Sequence, residues 1–279
     1  FVRQSALLIL GAQNHPLIVK RLQEALADRD RDVRITAVSI LGQIGTSESQ
    51  DPLIEALENG YRDIRAAAAR ALGKQKANWA IDALEMAIVE DESADVRRAA
   101  AEALSDIEYE DIIDLLEDAL QHEDDPEAHA CYLKLLNKHD PKSALPWVLK
   151  AIEKSNTTIL LESLNILSEK NNLPQNILVL IQQMVDQSDD IIRKKALSLV
   201  LKHQPDQARK WLLTKDSLIQ LTTLQSLSPE QTEALQGELF TLKDAPDALV
   251  RQAVFRAMAR TPGLWPLLIH QASHEADSS

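Results

Sequence analysis

The chain has 279 residues, 45% of them apolar and only 4% aromatic, with a formal net charge of -13 and a pI near 5.0. A surplus of carboxylates disfavours phosphate backbones, which are bound through clustered Lys and Arg, so nucleic acid is not an expected partner. The single cysteine, Cys131, rules out an intrachain disulfide, no stretch approaches 18 consecutive apolar residues, and no signal-peptide pattern opens the chain, so a cytoplasmic protein without membrane contact is expected.

From the first residues onward, an apolar residue followed by Arg or a substitute recurs as Val2-Arg3, Val33-Arg34, Ile64-Arg65, Val96-Arg97, Ala128-His129, Ile159-Leu160, Ile192-Arg193, Ile219-Gln220 and Val250-Arg251. The steps are 31, 31, 32, 32, 31, 33, 27 and 31 residues. Self-similarity at such a period marks a solenoid, whose units are too small to bury an apolar face alone and must stack. A single array of about nine helix pairs is expected over 1–279, with regular repeats over 1–124 and more divergent ones over 125–279. Because the chain begins at Phe1 inside a repeat, without an initiator Met, it is expected to be a piece of something longer.

Within each unit a shorter amphipathic run comes first, as at 51–57, 80–88 and 112–120. Four residues before each Arg position stand Asp30, Tyr61, Ser93, Asp125, Asn156, Asp189, Asp216 and Asp247. All but Tyr61 are residue types whose side-chain oxygen caps a helix N-terminus, so a second helix is expected to start at each. In the fifth unit Pro126 follows the cap at the first helical position, where its missing donor is harmless. Positions one before, three after and seven after the Arg fall on one helical face and hold Val33, Ala37 and Leu41, then Ile64, Ala68 and Leu72, then Val96, Ala100 and Leu104. Gly11, Gly42 and Gly73 follow this stripe where a helix would end in a left-handed residue, with Ser105, Asn137 and Ser168 in that place later. No segment alternates as a strand does, so the expected fold is all-α, a right-handed α/α superhelix.

The triplets Asp32-Val33-Arg34, Asp63-Ile64-Arg65 and Asp95-Val96-Arg97, each followed by Ala-rich turns and a Leu, resemble HEAT repeats of the short phycobilisome-lyase-like subtype. The resemblance spans nearly the whole chain and weakens after the fifth unit, where His129, Leu160 and Gln220 replace Arg. It implies an α/α solenoid in which Asp and Arg side chains form a ladder between adjacent repeats, here Asp32, Arg34, Asp63, Arg65, Asp95 and Arg97. It also implies two functional alternatives: a bilin lyase-like subunit that handles a tetrapyrrole, and a nucleic-acid-handling HEAT-like domain, whose basic channel conflicts with the charge balance.

Residues 82–127 contain 18 Asp and Glu against only Arg97 and Arg98. Glu90, Asp91, Glu92, Glu108, Glu110, Asp111 and Asp114 are therefore a candidate patch for a basic protein partner, although the same residues suit a solvated outer face. His122, Glu123, Asp124, Asp125 and His129 lack metal-site spacing, and His270 and His274, four apart, are too few for a tight site. Cys131 has no His placed by local sequence to activate it. Trp79, Trp147, Trp211 and Trp265 occupy different places in the repeat and suit gap-filling better than a row of anchors. Gly-rich phosphate loops, nucleophile elbows and metal motifs are missing, so neither catalysis nor a cofactor is expected. The expected function is a non-catalytic scaffold or adaptor that holds a protein or peptide in the solenoid groove.

Overall fold

The computed structural model describes residues 1–12, 17–153, 156–187 and 189–269. Among the described residues there is no strand. The helices are α1 (Val2–Ala12), α2 (Ile18–Leu26), α3 (Arg31–Ile44), α4 (Gln50–Asn59), α5 (Arg62–Gln75), α6 (Ile81–Glu90), α7 (Ala94–Ile107), α8 (Ile112–His122), α9 (Pro126–His139), α10 (Pro141–Glu153), α11 (Thr157–Ser168), α12 (Gln175–Gln187), α13 (Asp190–His203), α14 (Gln207–Leu212), α15 (Ser217–Ser226), α16 (Pro229–Ala234), α17 (Gln236–Leu242) and α18 (Ala248–Ala259). This is the expected all-α class.

Contacts divide the chain into two compact units, Phe1–Ser163 and Leu164–Ser279. In the first, α1, α3, α5, α7 and α9 pack side by side in sequence, and α2, α4, α6 and α8 each pack on the second helix that follows. In the second, α13, α15 and α18 form the corresponding row, with α12 on α13, α14 on α15, and α16 and α17 on α18. On α3, α5, α9 and α18 the positions held by Ser39, Arg70, Lys134 and Arg256 are exposed to solvent.

The apolar stripe explains the stacking. Val33, Ala37, Leu41, Ile64, Ala68, Leu72, Val96, Ala100 and Leu104 are all buried. Tyr132 takes the small-residue position in α9 and is wholly enclosed there. Six expected caps hold their helices: the side chains of Asp30, Asp125, Asn156, Asp189, Asp216 and Asp247 accept first-turn amides at 2.8–3.3 Å. Ser93 precedes α7 but its hydroxyl caps nothing, and its own amide donates to Asp91 Oδ1 at 2.8 Å.

The glycines differ from expectation. Gly42 and Gly73 lie inside α3 and α5, and each helix runs two residues further. A Cβ on Gly73 would stand 2.7 Å from Ala103 Cα in α7, one on Gly42 2.8 Å from Ala71 Cβ in α5, and one on Gly11 2.7 Å from Ile40 in α3. Their role is close approach between successive second helices. The left-handed stop falls later in the repeat, at Gly45 (φ 62°), Lys76 (φ 52°) and Glu108 (φ 64°).

Candidate functional site

The most ordered polar feature is the arginine ladder, and its geometry separates structural charges from free ones. Arg65 donates from Nε and Nη2 to the two carboxylate oxygens of Asp91 at 2.7 and 2.9 Å. Arg97 does the same to Glu123 at 2.8 and 2.6 Å. Arg3 pairs with Asp28 at 2.8 Å, Arg193 with Asp216, and Arg34 more loosely with Asp63 at 3.5 Å while stacking on the Tyr61 ring at 4.4 Å. Four arginines also staple the turn before their own helix: Arg34 to Asp28 O, Arg65 to Gly60 O, Arg97 to Asp91 O and Arg251 to Ala245 O, at 2.7–3.0 Å. Gln220 keeps that half of the role, donating to Thr214 O at 2.6 Å.

Asp28, Asp91 and Glu123 stand two residues before the N-cap position, and each also accepts the amide two residues on, from Asp30, Ser93 and Asp125. One carboxylate thus shapes the turn and receives the preceding unit's Arg. Burial alone would raise the Glu123 carboxyl, but the Arg97 hydrogen bonds, the Asp125 amide and the Arg97 charge outweigh it and hold it below its ordinary range. The Arg65, Arg97 and Arg193 guanidinium groups are correspondingly pushed up, chiefly by hydrogen bonds to Asp91, Glu123 and Asp216.

Of the six residues expected in the ladder, Arg34, Arg65, Arg97 and Asp63 take part. Asp95 instead holds Arg98 at 3.1 Å within α7, and Asp32 lies exposed on the first turn of α3. Sequence carried a signal for the true acceptors. Where the Arg is replaced by His129, Leu160 or Gln220, the place two residues before the next cap is Lys154, Gln187 or Ala245 rather than an acid.

The seven acidic candidates do not form one patch. Glu90, Asp91 and Glu92 lie at the N-terminal end of α7, while Glu108, Glu110 and Asp111 lie beyond its C-terminal end and Asp114 in the first turn of α8. The 14-residue helix between them spans about 20 Å. Asp91 is spent on Arg65 and its side chain is only 8% exposed, whereas the other six are exposed.

The open face of the second helices varies at the positions five and nine residues after the ladder place. Among them are Ser39 and Gln43 in α3, Arg70 and Lys74 in α5, Glu102 and Asp106 in α7, Lys134 and Lys138 in α9, and Arg256 in α18 with Arg260 just after it. All are exposed except the half-buried Glu102. Between α3 and α5 the face forms a groove of about 360 Å³ with Gly42, Ala67 and Ala71 on its floor and Arg70 and Lys74 on its wall. A larger groove of about 620 Å³ lies between α15 and α18.

Elsewhere, Ser105 takes the glycine place in α7 and its hydroxyl contacts His139 Nε2 and Lys138 Nζ, each at 2.9 Å. Cys131 borders Glu102, and burial, followed by that carboxylate, pushes its thiol up to about 12. His129 is buried in α9. Among the described residues no group of three His, Cys, Asp or Glu side chains is placed to hold a metal ion. His270 and His274 lie outside the described residues. Trp211 is buried, Trp147 is half-buried under Lys150 at 4.8 Å, and Trp79 and Trp265 are exposed. No described helix is long and apolar enough to cross a membrane.

Comparison with known proteins accords with this geometry. The family model for HEAT repeats matches residues 2–73 and 50–135. No curated protein matches the chain significantly. Among solved structures, YibA from Escherichia coli is similar at a TM-score of 0.59 and 15% identity, over 85% of this chain and 91% of that one. A Kap121p mutant is similar at 0.58 and 15% identity, over 98% of this chain and 36% of that one. The CpcE and CpcF complex of phycocyanin lyase from a Nostoc species reaches 0.40 at 20% identity, over 72% of this chain and 82% of that one. The repeat period, the stacked helix pairs and the matched family model together identify residues 2–135 as HEAT repeats.

Proposed function

We propose that this chain is a non-catalytic scaffold that holds a protein or peptide on the open face of its second helices. One observation carries the reading: the repeat fixes the buried stripe and the ladder, yet leaves an exposed row that changes chemistry from unit to unit, neutral in α3, basic in α5, acidic in α7 and basic again in α9. A surface with constant support and variable charge is what selective recognition requires. The exposed Glu90, Glu92, Glu108, Glu110, Asp111 and Asp114 contribute in this reading by steering a basic region of the partner toward the edges of the stack.

Site-specific photocrosslinking tests it. A photoreactive residue at Ser39, Gln43 or Gln225 should yield adducts with a discrete protein, and one at Glu55 or Asp118 on the first helices should not. Equal adducts from both sets would overturn the reading.

A further inference from the structure

We infer that the groove between α15 and α18 takes an acidic and hydrophobic segment of a partner protein, with a leucine-like side chain on its floor and two carboxylates on Arg256 and Arg260. The inference rests on the scaffold reading and names the chemistry of the occupant. At about 620 Å³ the groove has room for a few side chains. Its apolar part is built from the buried Leu224 and Ala253, the half-buried Leu221, and Leu249, which is 61% exposed.

Arg256 and Arg260 form the charged wall, one helical turn apart and hence about 6 Å from each other. Neither makes an ion pair among the described residues, although the ladder arginines Arg3, Arg34, Arg65, Arg97 and Arg193 each hold a carboxylate. In a chain of net charge -13, two arginines left facing a leucine-lined groove are a matched site for carboxylates brought by another protein. Their spacing suits acidic residues one turn apart on a helix or two apart on an extended segment. The same two repeat positions carry Arg70 and Lys74 beside the α3–α5 groove, but its lining holds no leucine to seat the apolar side chain, so the full device is confined to the α15–α18 groove.

The probe is a short fluorescein-labelled peptide of alternating leucine and glutamate, titrated by fluorescence anisotropy into the whole chain. Binding should weaken at least about tenfold in R256E/R260E and also in Leu249→Asp, and stay within about twofold of wild type in R70E/K74E. A peptide with lysine in place of glutamate should prefer R256E/R260E over the wild type. Unchanged peptide affinity in R256E/R260E, with an unchanged thermal unfolding curve, would overturn the assignment. So would stronger competition by a single-stranded oligonucleotide than by unlabelled peptide, or self-association that R256E/R260E abolishes, since these would give the groove to phosphates or to a second copy. Photocrosslinks from Ser39 and Gln43 that persist beside a failed titration would leave the scaffold reading standing without this site, and their loss would remove that reading itself.

Discussion

Replacing Arg97 with alanine removes two hydrogen bonds to Glu123 and one to Asp91 O. It strands a carboxylate whose side chain is 3% exposed, with the Asp125 amide as its remaining donor. Breaking a buried ion pair from one side costs roughly 3–5 kcal/mol. Because the Arg97 side chain keeps 18% exposure, water can enter the vacated space, and the loss should be about 3 kcal/mol. The sign with pH follows from Glu123, whose carboxyl is lower in the folded chain than its unfolded value of about 4.3. Such a group contributes stability above that value and loses it as pH falls through the folded one. The gap between wild type and R97A should therefore be full at pH 7 and shrink in acid, as the stranded carboxylate takes a proton. Urea unfolding at both pH values, with hydrogen exchange followed across α7, α8 and α9, reads this. A loss under about 0.5 kcal/mol at pH 7, or a gap that does not change with pH, would refute the reasoning. R97M/E123L should recover most of the loss, since a well-packed apolar pair replaces a buried ion pair at little cost.

Other expectations follow from the repeat geometry. Gly73→Val should cost about 2 kcal/mol or more in chemical denaturation, because the new Cβ meets the Ala103 backbone at 2.7 Å; a neutral result would remove the close-approach role. Lys76→Gly and Glu108→Gly should each stabilise by about 0.5–1 kcal/mol, relieving a left-handed non-glycine residue, and thermal melts that fall instead would contradict the assigned stop. Cys131, with its thiol pushed up to about 12, should react with an aromatic disulfide reagent at pH 8 on the order of 100-fold more slowly in the native chain than after unfolding; equal rates would show the thiol to be free.

The frame was legible because it obeys local rules. Short oxygens at the caps and apolar residues at helical spacing placed the second helices and their buried stripe. Ser93 departs from the rule although its turn is like its neighbours': its amide donates to Asp91 as those of Asp30 and Asp125 donate to Asp28 and Glu123, yet those two side chains cap and the Ser93 hydroxyl does not. The ladder acceptors were hidden by adjacency: Asp95 sits two residues before Arg97, and residues two apart on a helix do not face each other, whereas Glu123 lies 26 residues ahead in sequence and 2.6 Å away in space. Gly42 and Gly73 looked like stops because glycine serves both helix ends and close packing, and only the neighbouring helix tells the two apart. The acidic residues around α7 appeared as one patch because a count along the chain ignores the helix that separates them. The cation pairs Arg70 with Lys74 and Arg256 with Arg260 were visible as spacing, but a negative total concealed them.

The central claim is a division of labour within each second helix, with stripe and ladder supporting the fold and the open face doing the binding. A substitution scan of both sets, scoring protease resistance and capture of the photocrosslinked partner on the same variants, tests it most directly. Changes at Arg65, Arg97 and Glu123 should lower protease resistance, and changes at Ser39, Arg70, Arg256 and Arg260 should preserve resistance while capture falls. Open-face variants that unfold as readily as ladder variants, or capture indifferent to every open-face change, would contradict the account.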